Sequence, residues 1–191
     1  MSENIPDTEL VERVQRGDKK AFDLLVLKYQ HRIVKLVSRY VKEPSDALDI
    51  AQDAFLKAYR ALPRFRGDSA FYTWMYRIAI NTAKNYLASH ARRPREVEMN
   101  SLDGEQTEAE IALKDEGTPE HLLLRDEIQQ TIVRTIEQLP EDLRTAITLR
   151  ELEGMSYEEI AEAMDCPIGT VRSRIFRARA AIDSKLKPLM E

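Results

Sequence analysis

The 191-residue chain is 43% apolar with a formal charge of −4, enough to build the core of one ordinary domain or two small ones. It has no run of eighteen apolar residues and its start, MSENIPDTEL, is polar and acidic; neither a membrane span nor a secretory signal is expected, which points to a cytoplasmic protein without membrane insertion. One cysteine, Cys166, excludes an internal disulfide and a cysteine-rich zinc site, and His31, His90 and His121 lack metal-ligand spacing, so no metal and no cofactor is expected.

The modest average charge hides a division along the chain. Residues 1–94 hold 17 basic and 11 acidic side chains, residues 95–124 hold 2 and 9, and residues 125–191 hold 10 and 13. Within the last part, 169–187 carries six Lys or Arg against one Asp. The net charge argues against a free-standing nucleic-acid binder, but cationic patches are concentrated locally and surrounded by acid.

Strand signals are scarce: there are six glycines and no Asn-Gly or Asp-Gly turn between apolar runs. The fold class expected is all-α. Phe22, Leu25, Val26, Tyr29, Ile33, Leu36, Val37 and Tyr40 recur at three- and four-residue steps and predict a long helix over about 18–42. A second helix is expected over about 45–62, with Pro44 as breaker and Ser45 as cap. Its buried stripe is Ala47, Ile50, Ala51, Ala54, Phe55, Ala58 and Leu62. Asp46, Asp49, Gln52 and Asp53 lie along another face, followed by Lys57 and Arg60. That order of charge suits the helix dipole, and the same face suits docking to a basic protein.

After the loop PRFRGDS comes AFYTWMYRIAINTAKNYL, residues 70–87, with the only tryptophan and three of the seven tyrosines. At 100° per residue, Phe71, Met75, Ala79, Thr82 and Tyr86 share one side and are expected in the core. Trp74, Arg77, Asn81, Lys84 and Asn85 gather on another arc. A ring among cations and amides is the composition of a platform for single-stranded nucleic acid; a Trp half-buried under arginine stems is the alternative. Phe65, between Arg64 and Arg66 beside Gly67, adds a loop able to hold an unstacked base. Tyr72 and Tyr76 stay open between packing and a protein-facing surface.

From residue 93 to 120 the composition turns acidic and poor in apolar residues. It cannot offset an ordering cost of roughly 1–2 kcal/mol per residue, so a flexible linker is expected, with a short helix near 106–114 as its one structured candidate. Further helices are expected over about 121–138, 141–153, 156–165 and 169–187. Ser156 with Glu159 is a capping box, and CPIGT breaks the chain between two helices with a shared apolar seam, a helix-turn-helix. On the second of these helices Arg172, Ser173, Phe176 and Arg177 face away from the seam. Arginine forks suit guanine edges in a major groove and Phe176 suits a thymine methyl, whereas the flanking Arg174 and Arg179 suit phosphates. Arg150 is left between a phosphate and a surface ion pair.

Three blocks, DALDIAQDAFLKAYRAL, FRGDSAFYTWMYRIAINTAKNYL and LPEDLRTAITLRELEGMSYEEIAEAMDCPIGTVRSRIFRARAAID, closely resemble the extracytoplasmic-function (ECF) sigma factors of the sigma-E type, within the sigma-70 family. The resemblance covers nearly the whole chain. It implies a region 2 domain over 1–92, a linker over 93–120 and a region 4 domain over 121–191. It also implies transcription initiation at envelope or extracytoplasmic stress promoters, and no catalysis by the chain itself. Carried over by position, Asp46, Asp49, Gln52, Asp53 and Phe55 would contact core RNA polymerase. Phe65, Trp74, Arg77, Asn81 and Lys84 would read and melt the promoter −10 element, and Arg172, Ser173, Arg174, Phe176 and Arg177 would read duplex DNA at −35. A membrane-bound anti-sigma factor is implied as a further partner. Two other classes compete with this one: a helix-turn-helix repressor or activator, which gives no reason for the aromatic helix, and an enzyme acting on single strands. The latter lacks a site, because Asp46, Asp49 and Asp53 run along a helix instead of converging on an ion. The charge distribution further leads to the expectation that the free chain binds promoters poorly until polymerase separates its domains.

Overall fold

The computed structural model describes residues 5–91 and 119–190. Among them there is no strand, and eight α-helices form two bundles. Residues 93–118 of the expected linker, with the short helix expected near 106–114, lie outside the described residues, and its last two residues, Pro119 and Glu120, open a helix.

The first helix, α1 (Asp7–Gln15), has no counterpart in the sequence reading; Leu10, Val11 and Val14 are its buried face. Gly17 turns the chain at φ +99°, a conformation that suits a residue without Cβ. Asp18 then caps α2 (Lys19–Val37) by accepting from the Lys20 and Ala21 amides. Arg13 reaches the same carboxylate at 2.8 Å and holds it below the ordinary range. The α2 core face is the expected stripe from Phe22 to Val37. The helix ends five residues earlier than its apolar spacing predicted. Arg39 N–H bonds to Leu36 O and Tyr40 N–H to Val37 O, a tightened last turn that carries Tyr40 out of the helical register.

Helix α3 (Pro44–Ala61) begins at Pro44 itself. Ser45 is not its cap: the cap position is Glu43, which makes no side-chain bond, and Pro44 takes the first helical position, where its missing N–H costs nothing. A 3₁₀ turn (Leu62–Arg64) and the loop to Ala70 lead into α4 (Phe71–Ala91). The second bundle is α5 (Pro119–Gln138), α6 (Glu141–Glu151), α7 (Tyr157–Ala163) and α8 (Ile168–Met190). The capping box at α7 is formed in both directions, Glu159 N–H to Ser156 Oγ at 3.1 Å and Ser156 N–H to Glu159 Oε2 at 2.8 Å. Helices α7 and α8 make the helix-turn-helix, with Ile160, Ala163, Val171, Ile175 and Ala178 buried in its seam.

The two bundles pack together, chiefly α4 against α7. The buried apolar residues form one continuous cluster across both. Tyr76 and Met155, each 1% exposed, come from different bundles. The interface therefore removes large side chains from water much as a core does.

Candidate nucleic-acid interface

The loop before α4 brings three aromatic rings together. Phe65 and Trp74 have centroids 4.9 Å apart, Phe71 and Trp74 5.9 Å, and Phe65 and Phe71 meet edge-on at 6.5 Å. Such tilted pairs contribute about 0.5–1.5 kcal/mol each beyond burial. Phe71 is buried, while Phe65 and Trp74 are half-buried against it. Trp74 is thus both a packing residue and a partly open ring. Beyond Phe65 the loop is exposed through Arg66, Gly67 and Asp68, with Gly67 at φ +73°.

The remaining −10 candidates follow Trp74 along the same arc of α4, and this arc meets the second bundle. Arg77 lies 3.5 Å from Asp165, the residue at φ +51° in the helix-turn-helix turn. Lys84 reaches Asp142 at 3.3 Å and Glu141 at 3.8 Å. Asn81, between them, is exposed. Asp142 also accepts from Arg174 at 2.6 Å, so one carboxylate joins a cation of α4 to a cation of α8.

The two tyrosines left open by the sequence belong to the same contact. Tyr76 O–H donates to Glu153 at 2.7 Å, and Arg32 of α2 pairs with the same carboxylate at 3.1 Å. Tyr72 O–H donates to Glu159, the capping-box residue. Burial, then the carboxylate partner, pushes both phenols above their ordinary range. Burial alone would raise Glu159, but the bonds from Tyr72 and Ser156 outweigh it and hold the carboxyl low. Tyr40 bonds Thr145, and Arg144 donates to the Arg39 carbonyl at 2.8 Å. Yet Arg39 Nε and Arg144 Nε are buried without a partner. Burial lowers the affinity of Arg39 for its proton, and Arg144 adds repulsion. An unpaired buried N–H costs about 1–3 kcal/mol, so the interface is cohesive but incompletely satisfied.

On α8 the arrangement differs. Phe176 is 74% exposed, and Arg172, Ser173 and Arg177 are exposed beside it. No hydrogen bond or ion pair engages Arg172 or Arg177 among the described residues. Arg174 is turned inward and mostly covered, holding Asp142 at 2.6 Å and donating to Cys166 Sγ at 3.3 Å, so in this structure its guanidinium braces the turn. Arg179 is occupied by Glu151 at 2.6 Å. Arg150 takes neither predicted role; it donates to Met155 O at 2.8 Å and lies over the Tyr157 ring.

The acidic face of α3 is open. Asp49, Asp53 and Lys57 border a cleft of about 390 Å³ that α4 closes with Thr82, Asn85, Tyr86 and Ser89. Asp53 pairs with Lys57 at 2.8 Å, Gln52 is exposed and Asp46 half-buried. Phe55 is a correction: at 8% exposed it packs in the core, because it falls on the apolar stripe with Ala51 and Ala58 and not on the acidic face. Among the described residues no helix is long and apolar enough to cross a membrane, and no group of His, Cys, Asp and Glu could hold a metal.

Comparison with known proteins gives a consistent pattern. Residues 25–93 match the family described as sigma-70 region 2, and residues 129–182 the family described as sigma-70, region 4. The chain is 65% identical to the RNA polymerase sigma-H factor of Pseudomonas aeruginosa over 96% of this chain and 95% of that one. It is 62% identical to the ECF RNA polymerase sigma-E factor of Escherichia coli K12, over 100% of this chain and 99% of the relative. Among solved structures, CnrH in complex with the cytosolic domain of CnrY shares the fold at TM-score 0.66 and 24% identity, over 95% of this chain and 97% of that one.

Proposed function

Because the chain belongs to the ECF sigma factors of the sigma-70 family, we propose that it directs core RNA polymerase to envelope or extracytoplasmic stress promoters from a closed state that polymerase must open. It is a transcription regulator; the bond-making chemistry belongs to polymerase, and the chain works in the cytoplasm. Region 2 spans 1–92, the linker 93–120 and region 4 121–191.

In this reading Asp46, Asp49, Gln52 and Asp53 dock on polymerase. Phe65 and Trp74 offer a ring and a loop to a base leaving the −10 duplex, while Arg77, Asn81 and Lys84 follow the strand. Extruding a base costs a few kcal/mol, and stacking returns about 1–3 kcal/mol per base. Arg172, Ser173, Phe176 and Arg177 enter the −35 groove, with Arg174 and Asp142 holding the turn that presents them.

The observation that carries the closed state is Asp142, shared between Lys84 and Arg174 at 3.3 and 2.6 Å. With Asp165 on Arg77 and Glu153 on Arg32 and Tyr76, region 4 supplies carboxylates where a DNA strand would supply phosphates. Polymerase that holds the two regions apart would release those cations, and a membrane-bound anti-sigma factor would act by denying polymerase the same surfaces. The experiment is a gel shift with promoter DNA and purified chain, with and without core polymerase, followed by run-off transcription. Transcripts and capture of the single-stranded −10 element are expected only when polymerase is present with the chain; tight, sequence-specific capture of the −10 single strand by the free chain overturns the closed-state reading, whereas duplex binding through the exposed α8 does not.

A further inference from the structure

Gln15 is the last residue of α1 and is exposed, yet both hydrogens of its side-chain amide are committed. Nε2 donates to Leu62 O at 3.0 Å and to Phe65 O at 2.9 Å, carbonyls 47 and 50 positions further along the chain. These two oxygens mark the ends of the turn that Phe65 N–H closes on Leu62 O at 3.0 Å. Beyond Phe65 the backbone is next fastened where Trp74 N–H meets Ala70 O. The Arg66–Asp68 pair in between is local and exposed. Among the described residues, Gln15 is therefore the side chain that hydrogen-bonds this loop's backbone to the body of the bundle, beside the packing of the Phe65 ring. Its own base is firm, because Leu10, Val11 and Val14 are buried and Arg13 is clamped on Asp18.

We propose that Gln15 is a positioning residue for base capture. By holding the Phe65 carbonyl it sets where the Phe65 ring stands against Trp74, and so the depth and direction of the open loop through Arg66, Gly67 and Asp68. A carbonyl held by one donor can swing; held with its turn partner by the two hydrogens of a single planar amide, it keeps one orientation. The inference rests on the reading that this loop takes a base from the −10 strand.

Gln15→Glu tests it with almost unchanged shape. The carboxylate has no hydrogen to give and faces two carbonyl oxygens, so the tether becomes repulsive; Gln15→Ala removes it without repulsion. Holoenzyme assembled from the full chain and core polymerase is mixed with a pool of random single-stranded decadeoxynucleotides, and the recovered strands are sequenced. Both variants are expected to lose at least fivefold of the base preference at one position while the other positions stay within twofold. A residue that serves only stability would weaken recovery evenly and leave every preference in place, and that result overturns the inference. Phe65→Ala separates the two claims. If it flattens one position and Gln15→Glu does not, Gln15 is not a positioning residue. If Phe65→Ala leaves all preferences intact, base capture by this loop fails, and the inference with it.

Discussion

The arc of α4 and the outer face of α8 are both cationic helical surfaces of one chain, but they stand in opposite states. On α4, Arg77 and Lys84 are paired with carboxylates of the other bundle, and Tyr72 and Tyr76 are bonded to Glu159 and Glu153. On α8, Arg172, Phe176 and Arg177 stand in solvent. Charge in the sequence therefore does not report availability. In the proposed reading, the surface for a strand that exists only after melting is paired with the chain's own carboxylates, while the surface for intact duplex is left open.

The comparison breaks most visibly on α8. Arg172→Ala and Arg177→Ala should each cost about 1–3 kcal/mol of −35 duplex affinity in holoenzyme, on the scale of a bidentate base contact. Fluorescence anisotropy with a −35 duplex checks this, and single-strand affinity should not follow. On α4 the direction reverses. Replacing Asp142 and Asp165 by Asn and Glu153 by Gln should raise the free chain's affinity for a mixed-sequence single-stranded 15-mer about tenfold, or about 1.4 kcal/mol. The salt slope should steepen by about 0.7 for each phosphate gained. Trp74→Ala sharpens a smaller point. Its ring packs on Phe65 and Phe71, so urea unfolding should show about 1–2 kcal/mol of lost stability, and permanganate footprinting of opened promoter should fall more than closed-complex binding does.

The smallest effect is pH dependence of the closed state. Glu159 is held below its ordinary value of 4.5, so its contribution to closure is complete above that value and fades as pH falls through the lowered one. Tyr72 is raised above its ordinary value of 10.0, so its contribution is complete below 10 and fades as pH rises through the raised one. Interdomain distance should therefore be flat between about pH 4.5 and 10 and lengthen only below and above that window.

Much of the fold was legible because it is written in local rules. Ser156 and Glu159 announced a helix start, and CPIGT between apolar runs announced the turn before α8. Recurrence at three and four residues marks the stripes of α2 and α3, Phe55 included, although the resemblance implies a polymerase contact there. Helix α1 was missed because its three buried residues sit in a polar stretch too short for periodicity to stand out; Gly17 and Asp18 were the available signal. Ser45 was misread because a proline at the first helical position displaces the cap by two residues. The pairs Tyr72–Glu159, Tyr76–Glu153 and Lys84–Asp142 had no local signal at all. Periodicity shows which face a residue occupies, not which body covers it, and these partners are 58 to 87 residues apart.

The α4 arc is covered by region 4 in the free chain and, in the proposed reading, uncovered in the holoenzyme. Spin labels at Ala88→Cys on α4 and Ala180→Cys on α8, in a Cys166→Ser background, measure it by pulsed electron resonance. One short-distance population in the free chain that moves to a single longer one on adding core polymerase is the predicted result. A long or broad distribution in the free chain, or no change with polymerase, would contradict it.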